Sequence, residues 1–490
     1  MCPPAIMMAD MSMASAHSRR PVPVLFLIAD TGGGHRSAAQ AVAEALLRDH
    51  PGRFSPVLLD PLTGPASSRP LRRAVRLYGH VTRHAPWAWG VLYRATDSPC
   101  VTRWLRRTLL RFVDRPVTDA VTRLQPDVIV SCHPLTTEAA VRASRQATRH
   151  TPVATIITDL VSVHAAWPHH RADRVVVPSA GARQRCIRGG VAEGRCAELG
   201  LPVSSAFVNA PPPGARQRQE AGKQPFRVVV TGGGEGCGGI ARQVSALIRH
   251  FDDIEVVAIC GRNRRARHKL AKLAARSAGR LTVHGMTDGI AGWLCQADAV
   301  ATKAGPGTIA EAACCGTALL LTSHLPGQED GNVELVVTAG AGRYVPRVTD
   351  LVREIARLRA DPAALEAMRA ASARLARPHA AAETATLIAE LAGTALAVRP
   401  AHVRLRRPSG SRGQSPSASN RPASPIVTVD RGPGPARGCH VFTARRILGA
   451  VMGEHRMTKD RRRAFSCCSA WPSCRSPWLT RWRSSFSPWT

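Results

Sequence analysis

Apolar residues in this chain gather in short unbroken runs, each followed by a glycine turn or by a stretch with apolar positions at helical spacing. Residues 22–29 predict a strand, 31–35 a glycine turn and 37–47 a helix. Further strands are expected at 56–59, 127–132, 153–158 and 174–177. The pattern then restarts, with a strand at 226–230, a glycine-rich turn at 231–239 and a helix at 240–250. Strands at 254–260, 281–284, 297–302 and 318–322 alternate with helical segments after that. Such alternation implies parallel sheets covered by helices, so the class expected is α/β with two Rossmann-like halves.

Breaks in composition set the expected boundaries. Residues 1–20 read as a disordered N-terminal segment, 21–208 as the first domain and 209–225, proline-rich and then polar, as a linker. The second domain is expected over 226–398, with its alanine-rich end helical. Residues 399–490, rich in Ser, Pro, Gly and Arg, read as a disordered basic tail. Its tryptophans and arginines leave three readings open: a lipid-interface segment, an accessory tail, or an extension with no role.

The chemistry is densest at residues 302–332. A buried strand runs into Lys303, Gly305, Pro306, Gly307 and Thr308, where a helix opens. Backbone N–H groups at such a mouth lack partners and favour a phosphate or diphosphate. One turn further in, Glu311 is placed to accept from ribose hydroxyls, and Gln328, Glu329 and Asn332 offer a grip on a second sugar. Lys303 either supplies fixed positive charge or is solvated. Gly232, Gly233, Gly234 and Gly236 follow a strand and allow a backbone to approach a diphosphate closely. Gly261, Arg262 and Asn263 end the next strand, where ligands of parallel sheets bind. Together these groups point to a nucleotide-sugar site.

In the first half, Thr31, Gly32, Gly33 and Gly34 lead into His35 at a helix mouth. Positive dipole potential there favours the neutral imidazole that a general base needs. A loop-capping histidine is the plainer alternative. Asp60 sits near where a dinucleotide fold holds its ribose acid, but the spacing G-G-G-H is not that of the fingerprint. Asp159 ends a strand, placed either to orient His35 or the acceptor hydroxyl, or to cap a loop; Trp167 either packs on a lipid glycerol or fills the cleft wall.

The ordered set DTGGGHR, ITDL, GLPV, TGGGEG, CGRN, KAGPGTIAEA and PGQE-x-GN resembles the monogalactosyldiacylglycerol synthase family. The resemblance implies a GT-B arrangement, two Rossmann-like domains facing a central cleft, here with the basic tail appended. It also implies that Met286 and Thr287 face uracil, that residues 260–263 lie near the base or ribose, and that His35 is catalytic. The expected reaction is inverting transfer of a galactose or glucose from a UDP-sugar to 1,2-diacylglycerol. The UDP-sugar is then a substrate, and with no Asp-x-Asp pair in the donor site no metal or other cofactor is expected. Weighed beside it are N-acetylglucosaminyl transfer to a lipid-linked muropeptide, UDP-sugar epimerisation and non-catalytic nucleic-acid binding.

Composition refines the picture. The formal charge is +33, carried mostly by arginine, which is either codon bias or attraction to an anionic surface. No aromatic-basic nucleic-acid module is recognisable, so no nucleic acid partner is expected. Residues 62–96 hold no acidic residue, yet carry Arg72, Arg73, Trp87 and Trp89 among further arginines and aromatics. That mixture suits anionic membrane lipid, the alternative being a solvated arginine-rich helical face. No apolar run is long enough for a span. The fourteen cysteines contain no C-x-x-C pair, which favours reduced thiols. The location expected is cytoplasmic, peripheral on the inner face of the cell membrane.

Overall fold

The computed structural model describes residues 20–30, 33–64, 67–108, 111–147, 149–209, 225–287, 289–397 and 427–428. The first domain contributes β1 (Val22–Leu27), β2 (Phe54–Leu59), β3 (Val128–Ser131), β4 (Val153–Ile156), β5 (Arg174–Val177) and β6 (Cys196–Glu198). The second contributes β7 (Phe226–Thr231), β8 (Ile254–Ile259), β9 (Leu281–His284), β10 (Ala299–Lys303), β11 (Ala318–Ser323) and β12 (Gly342–Tyr344). From the C-terminal segment β13 (Val427–Thr428) is described, paired with β2. The first sheet runs β13-β2-β1-β3-β4-β5-β6 and the second β12-β11-β10-β7-β8-β9. Every pairing is parallel.

Parallel strands buried on both faces need apolar residues at consecutive positions, and β1 shows why its run is unbroken. Val24 and Phe26 pack with Val42 and Leu46 of the helix Gly34–Asp49 on one side. Leu25 and Leu27 pack on the other with Val113 and Val117 of the helix Arg111–Leu124. In the second sheet Val228 and Val230 meet Val244 and Leu247, while Val229 meets Leu294 and Ile309. The last long helix, Ala380–Ala397, sets Ala385, Ile388 and Ala392 into the first domain's core beside Val42. It therefore returns across the molecule.

Three basic helices, Arg69–His84, Pro86–Thr96 and Pro99–Thr108, lie between β2 and β3. One pair of cysteines departs from the expected thiol state. Cys295 and Cys315 form a disulfide with Cα atoms 4.7 Å apart. Both are buried in the same cluster beneath the second sheet, which brings together residues that spacing alone does not relate.

Candidate active site

In each sheet the winding direction reverses beside the first strand: β1 lies between β2 and β3, and β7 between β10 and β8. Ligands of open parallel sheets bind beyond the carboxyl ends of the strands at that reversal. Here the two reversals share one cleft. Gly33, Gly34 and His35 after β1 line it, with Asp159 beyond β4, Gly232–Gly234 after β7, Gly261 after β8 and residues 303–308 after β10. Thr31 and Gly32 lie outside the described residues.

On the first-domain wall, burial lowers the His35 pKa from 6.5 to about 4, so the ring is neutral at ordinary pH; hydrogen bonding to the Cys132 backbone and the Asp60 charge oppose this only partly. Its Nδ1 lies 2.8 Å from the Thr158 hydroxyl, and the His133 ring meets it edge-on at 4.6 Å. Asp159 is not its partner. That carboxylate accepts from the Trp167 indole N–H at 2.6 Å. Burial raises Asp159 to about 6, against the opposing hydrogen bonds from Trp167 and Gln328. Trp167 is 1% exposed, so it fills the wall and fixes Asp159 instead of meeting lipid. Asp60 is likewise structural, accepting from the backbone N–H groups of Asp30, Leu62 and Thr63.

On the second-domain wall, the helix Pro306–Cys315 opens with Gly305 as its cap residue and no side-chain cap. Ile309 N–H bonds back to Gly305; the N–H groups of Gly307 and Thr308 precede the first intrahelical bond and line the cleft. Glu311 lines it one turn deeper, with no hydrogen bond or ion pair among the described residues, and burial raises its pKa from 4.5 to about 7. Gly261 has φ +52°, and a Cβ there would collide with the Gly234 carbonyl oxygen, so only glycine closes the two loops together. Met286, 62% exposed, and Thr287 border the same space.

Several residues expected to touch the nucleotide sugar do other work. Asn263 caps the helix Arg264–Ala274 by accepting from Ala266 N–H at 3.0 Å, and its amide donates to Gly236 O at 2.9 Å. Asn263 and Gly236 thus shape the glycine turn and do not line the cleft. Arg262 donates to Glu235 at 2.9 Å and reaches Asp30 at 3.4 Å. Glu235 also accepts from Arg83 at 2.6 Å. This chain of charges joins the two domains, and it holds the Arg262 guanidinium away from the cleft.

Glu329 is 2% exposed, accepting from Lys303 and, at 2.8 Å, from Leu325 N–H. Lys303 is therefore neither solvated nor an isolated charge. Asn332, 1% exposed, ties its amide to Ala304 O at 2.9 Å, beneath the cleft surface. Gln328 lines the cleft with its Oε1 buried and unpaired among the described residues.

The lipid-facing expectations divide similarly. Trp87 is 72% exposed, in company with Leu77, Val91, Leu92, Trp104 and Phe112. Arg73 is exposed and Arg72 half-buried on the helix Arg69–His84. Trp89 turns inward, packing edge-on against Tyr78 at 4.7 Å and near Tyr93. Sequence reasoning missed Thr158, Glu235, Tyr78 and Thr82 as cleft residues. The last two stand four apart on one helix, a spacing that the surrounding arginines obscured.

Comparison with known proteins accords with this geometry. Residues 35–203 match the family model described as monogalactosyldiacylglycerol (MGDG) synthase, and residues 227–385 match the glycosyltransferase family 28 C-terminal domain. The probable chloroplastic monogalactosyldiacylglycerol synthase of Glycine max is 31% identical over 373 residues, covering 74% of this chain and 70% of that protein. Monogalactosyldiacylglycerol synthase 1 of Arabidopsis thaliana is 32% identical over 377 residues, covering 74% and 69%. Among solved structures, Acinetobacter baumannii MurG superposes with a TM-score of 0.48 at 17% identity, covering 76% of this chain and all of that one. The UDP-GlcNAc 2-epimerase of Neisseria meningitidis gives 0.48 at 14% identity, covering 75% and 98%. Likeness at that level does not discriminate between chemistries. The two family models and the plant relatives, spanning both domains and the cleft between them, place this chain in the monogalactosyldiacylglycerol synthase family.

Proposed function

We propose that this protein, a glycosyltransferase acting on diacylglycerol, takes galactose or glucose from a UDP-hexose and inverts the anomeric centre. The product is a β-glycosyldiacylglycerol. The observation that carries the donor assignment is Glu311: a half-buried carboxylate with no hydrogen bond or ion pair among the described residues, one turn inside a helix mouth that has no side-chain cap. Diphosphate oxygens suit the mouth and ribose hydroxyls suit the carboxylate.

In this reading the acceptor hydroxyl approaches from the His35 wall. Its oxygen bonds to the anomeric carbon as the bond from that carbon to the diphosphate oxygen breaks. The hydroxyl proton passes to His35, and UDP leaves with the bonding electrons. Backbone N–H groups of Gly307 and Thr308, with that of Gly234 in the glycine turn, stabilise the charge that develops on the leaving group. A neutral His35 suits the base role, and burial keeps it neutral. Gln328, whose Oε1 has no partner among the described residues, is the side chain assigned to the hexose, because Glu329 is engaged by Lys303 and Leu325. No divalent metal or other cofactor takes part in this scheme.

The exposed Trp87, Val91, Leu92, Leu77 and Trp104 among arginines form the surface we assign to anionic lipid, with the protein peripheral on the cytoplasmic face of the membrane.

The test is incubation with vesicles of diacylglycerol and phosphatidylglycerol plus UDP-galactose, UDP-glucose or UDP-N-acetylglucosamine, with and without chelator. Mass analysis of the lipid and the anomeric proton coupling are read. A β-hexosyldiacylglycerol, unaffected by chelator, is expected. Transfer of N-acetylglucosamine to a lipid-linked muropeptide supplied in a parallel incubation in place of diacylglycerol, or epimerised UDP-sugar released without any lipid acceptor, would displace the proposal.

A further inference from the structure

The helix Arg69–His84 faces two environments. Arg73, Arg76, Leu77 and Arg83 are exposed, whereas Tyr78 and Thr82, one turn apart, line the cleft between the domains. Thr82 spends its hydroxyl on the helix backbone, donating to Tyr78 O at 3.0 Å. The Tyr78 phenol makes no hydrogen bond among the described residues. Its ring is held by Trp89, edge-on at 4.7 Å, and Trp89 leans in turn on Tyr93, whose own hydroxyl donates to Ser162 O at 2.7 Å. The aromatic stack thus aims a fixed, unspent donor into the cleft.

What surrounds that hydroxyl indicates its target. Burial raises its pKa, with the charges of Glu329, Asp159, Cys237 and Glu235 adding to the effect in that order, so it remains a donor at ordinary pH. The Glu329 and Asp159 carboxylates line the cleft with Gln328, at the end beside the helix mouth, where Glu329 Oε1 comes close to Gly305 and where a sugar joined to the diphosphate would lie. With its acids already engaged by Lys303 and Trp167, that end supplies few groups free to read a sugar.

Resting on the UDP-hexose reading above, we propose that the Tyr78 hydroxyl donates a hydrogen bond to one hydroxyl oxygen of the transferred hexose. It is therefore a specificity-determining residue contributed by the basic helix of the first domain to a sugar held by the second. The hexose site is then shared by the two domains, its reader on one and its holder on the other.

Tyr78→Phe removes only the oxygen and keeps the stack on Trp89. The assay compares wild type and Tyr78→Phe with the natural UDP-hexose and with UDP-hexoses deoxygenated singly at C2, C3, C4 or C6. Binding of UDP alone is followed by calorimetry. We expect kcat/KM for the natural donor to fall about 10- to 100-fold, UDP affinity to stay unchanged, and one deoxy donor to be used equally by both proteins. Equal kcat/KM with the natural donor would overturn the proposal. So would a loss of the same size with every deoxy donor, which marks a packing role. If wild type does not bind UDP at all, the failure lies in the donor assignment beneath it, and the proposal falls with that.

Discussion

Glu311→Gln separates the functional demand on this residue from the demands of folding. The carboxyl has a pKa of about 7 in the folded protein against 4.5 as an ordinary glutamate, and burial is the cause. A carboxyl raised on folding binds more protons in the native state, so its contribution to stability is least unfavourable at low pH. The penalty grows from about pH 4.5 to about pH 7 and is constant above. At 1.36 kcal/mol per unit, the ceiling is about 3 kcal/mol at pH 8 and under about 1 kcal/mol at pH 5. Partial contact with solvent reduces both.

The glutamine variant, without its charge, should therefore be more stable than ligand-free wild type by about 1–3 kcal/mol at pH 8 and nearly equal to it at pH 5. Urea unfolding at the two pH values measures this. The same change should weaken UDP binding about 10- to 100-fold, since hydrogen bonds to a charged acceptor are lost. Wild-type affinity for UDP should rise with pH through about 7. A variant no more stable at pH 8, with undiminished UDP affinity, would refute the account of Glu311 as a carboxylate held in readiness for ribose.

Other residues give independent checks. His35→Ala should lower kcat about 10²- to 10⁴-fold and leave UDP affinity intact; with His35 neutral down to about pH 4, wild-type kcat at saturating donor should stay level from pH 8 to about 5, and a midpoint near 6.5 would count against this ring as the base. Arg262→Ala should change UDP affinity by less than about fivefold, since its guanidinium is engaged with Glu235 and Asp30 in partly exposed pairs; a hundredfold loss in calorimetry would restore it as a nucleotide contact. Trp87→Ser should alter stability by less than about 0.5 kcal/mol because the indole is 72% exposed. Its co-sedimentation with anionic vesicles should nonetheless fall several-fold, and unchanged partitioning would remove Trp87 from the lipid face.

The strands were legible because a buried parallel strand must be apolar at consecutive positions, as in β1, β7 and β11. β6 and β12 were not, being three residues each and exposed at Glu198, Arg343 and Tyr344. The arginine-rich stretch did not reveal that it divides into three helices, because the apolar residues it carries serve an exposed face as much as a core. For the site, the glycine turns and the Glu311 helix were readable since their chemistry is local: a strand, a turn and a helix mouth. What spacing could not reveal were partners far apart in sequence. Thr158 reaches His35 across 123 residues and Arg83 reaches Glu235 across 152. Lys303 and Glu329 neutralise each other, and Asp159 belongs to Trp167 instead of His35. Each of these is decided by which loops the two sheets bring together.

The most direct measurement is calorimetric titration of UDP into the folded wild-type protein. One saturable site per chain is predicted, weakened by Glu311→Ala and unaffected by His35→Ala. Well-folded protein that takes up no uridine nucleotide would contradict the account at its centre.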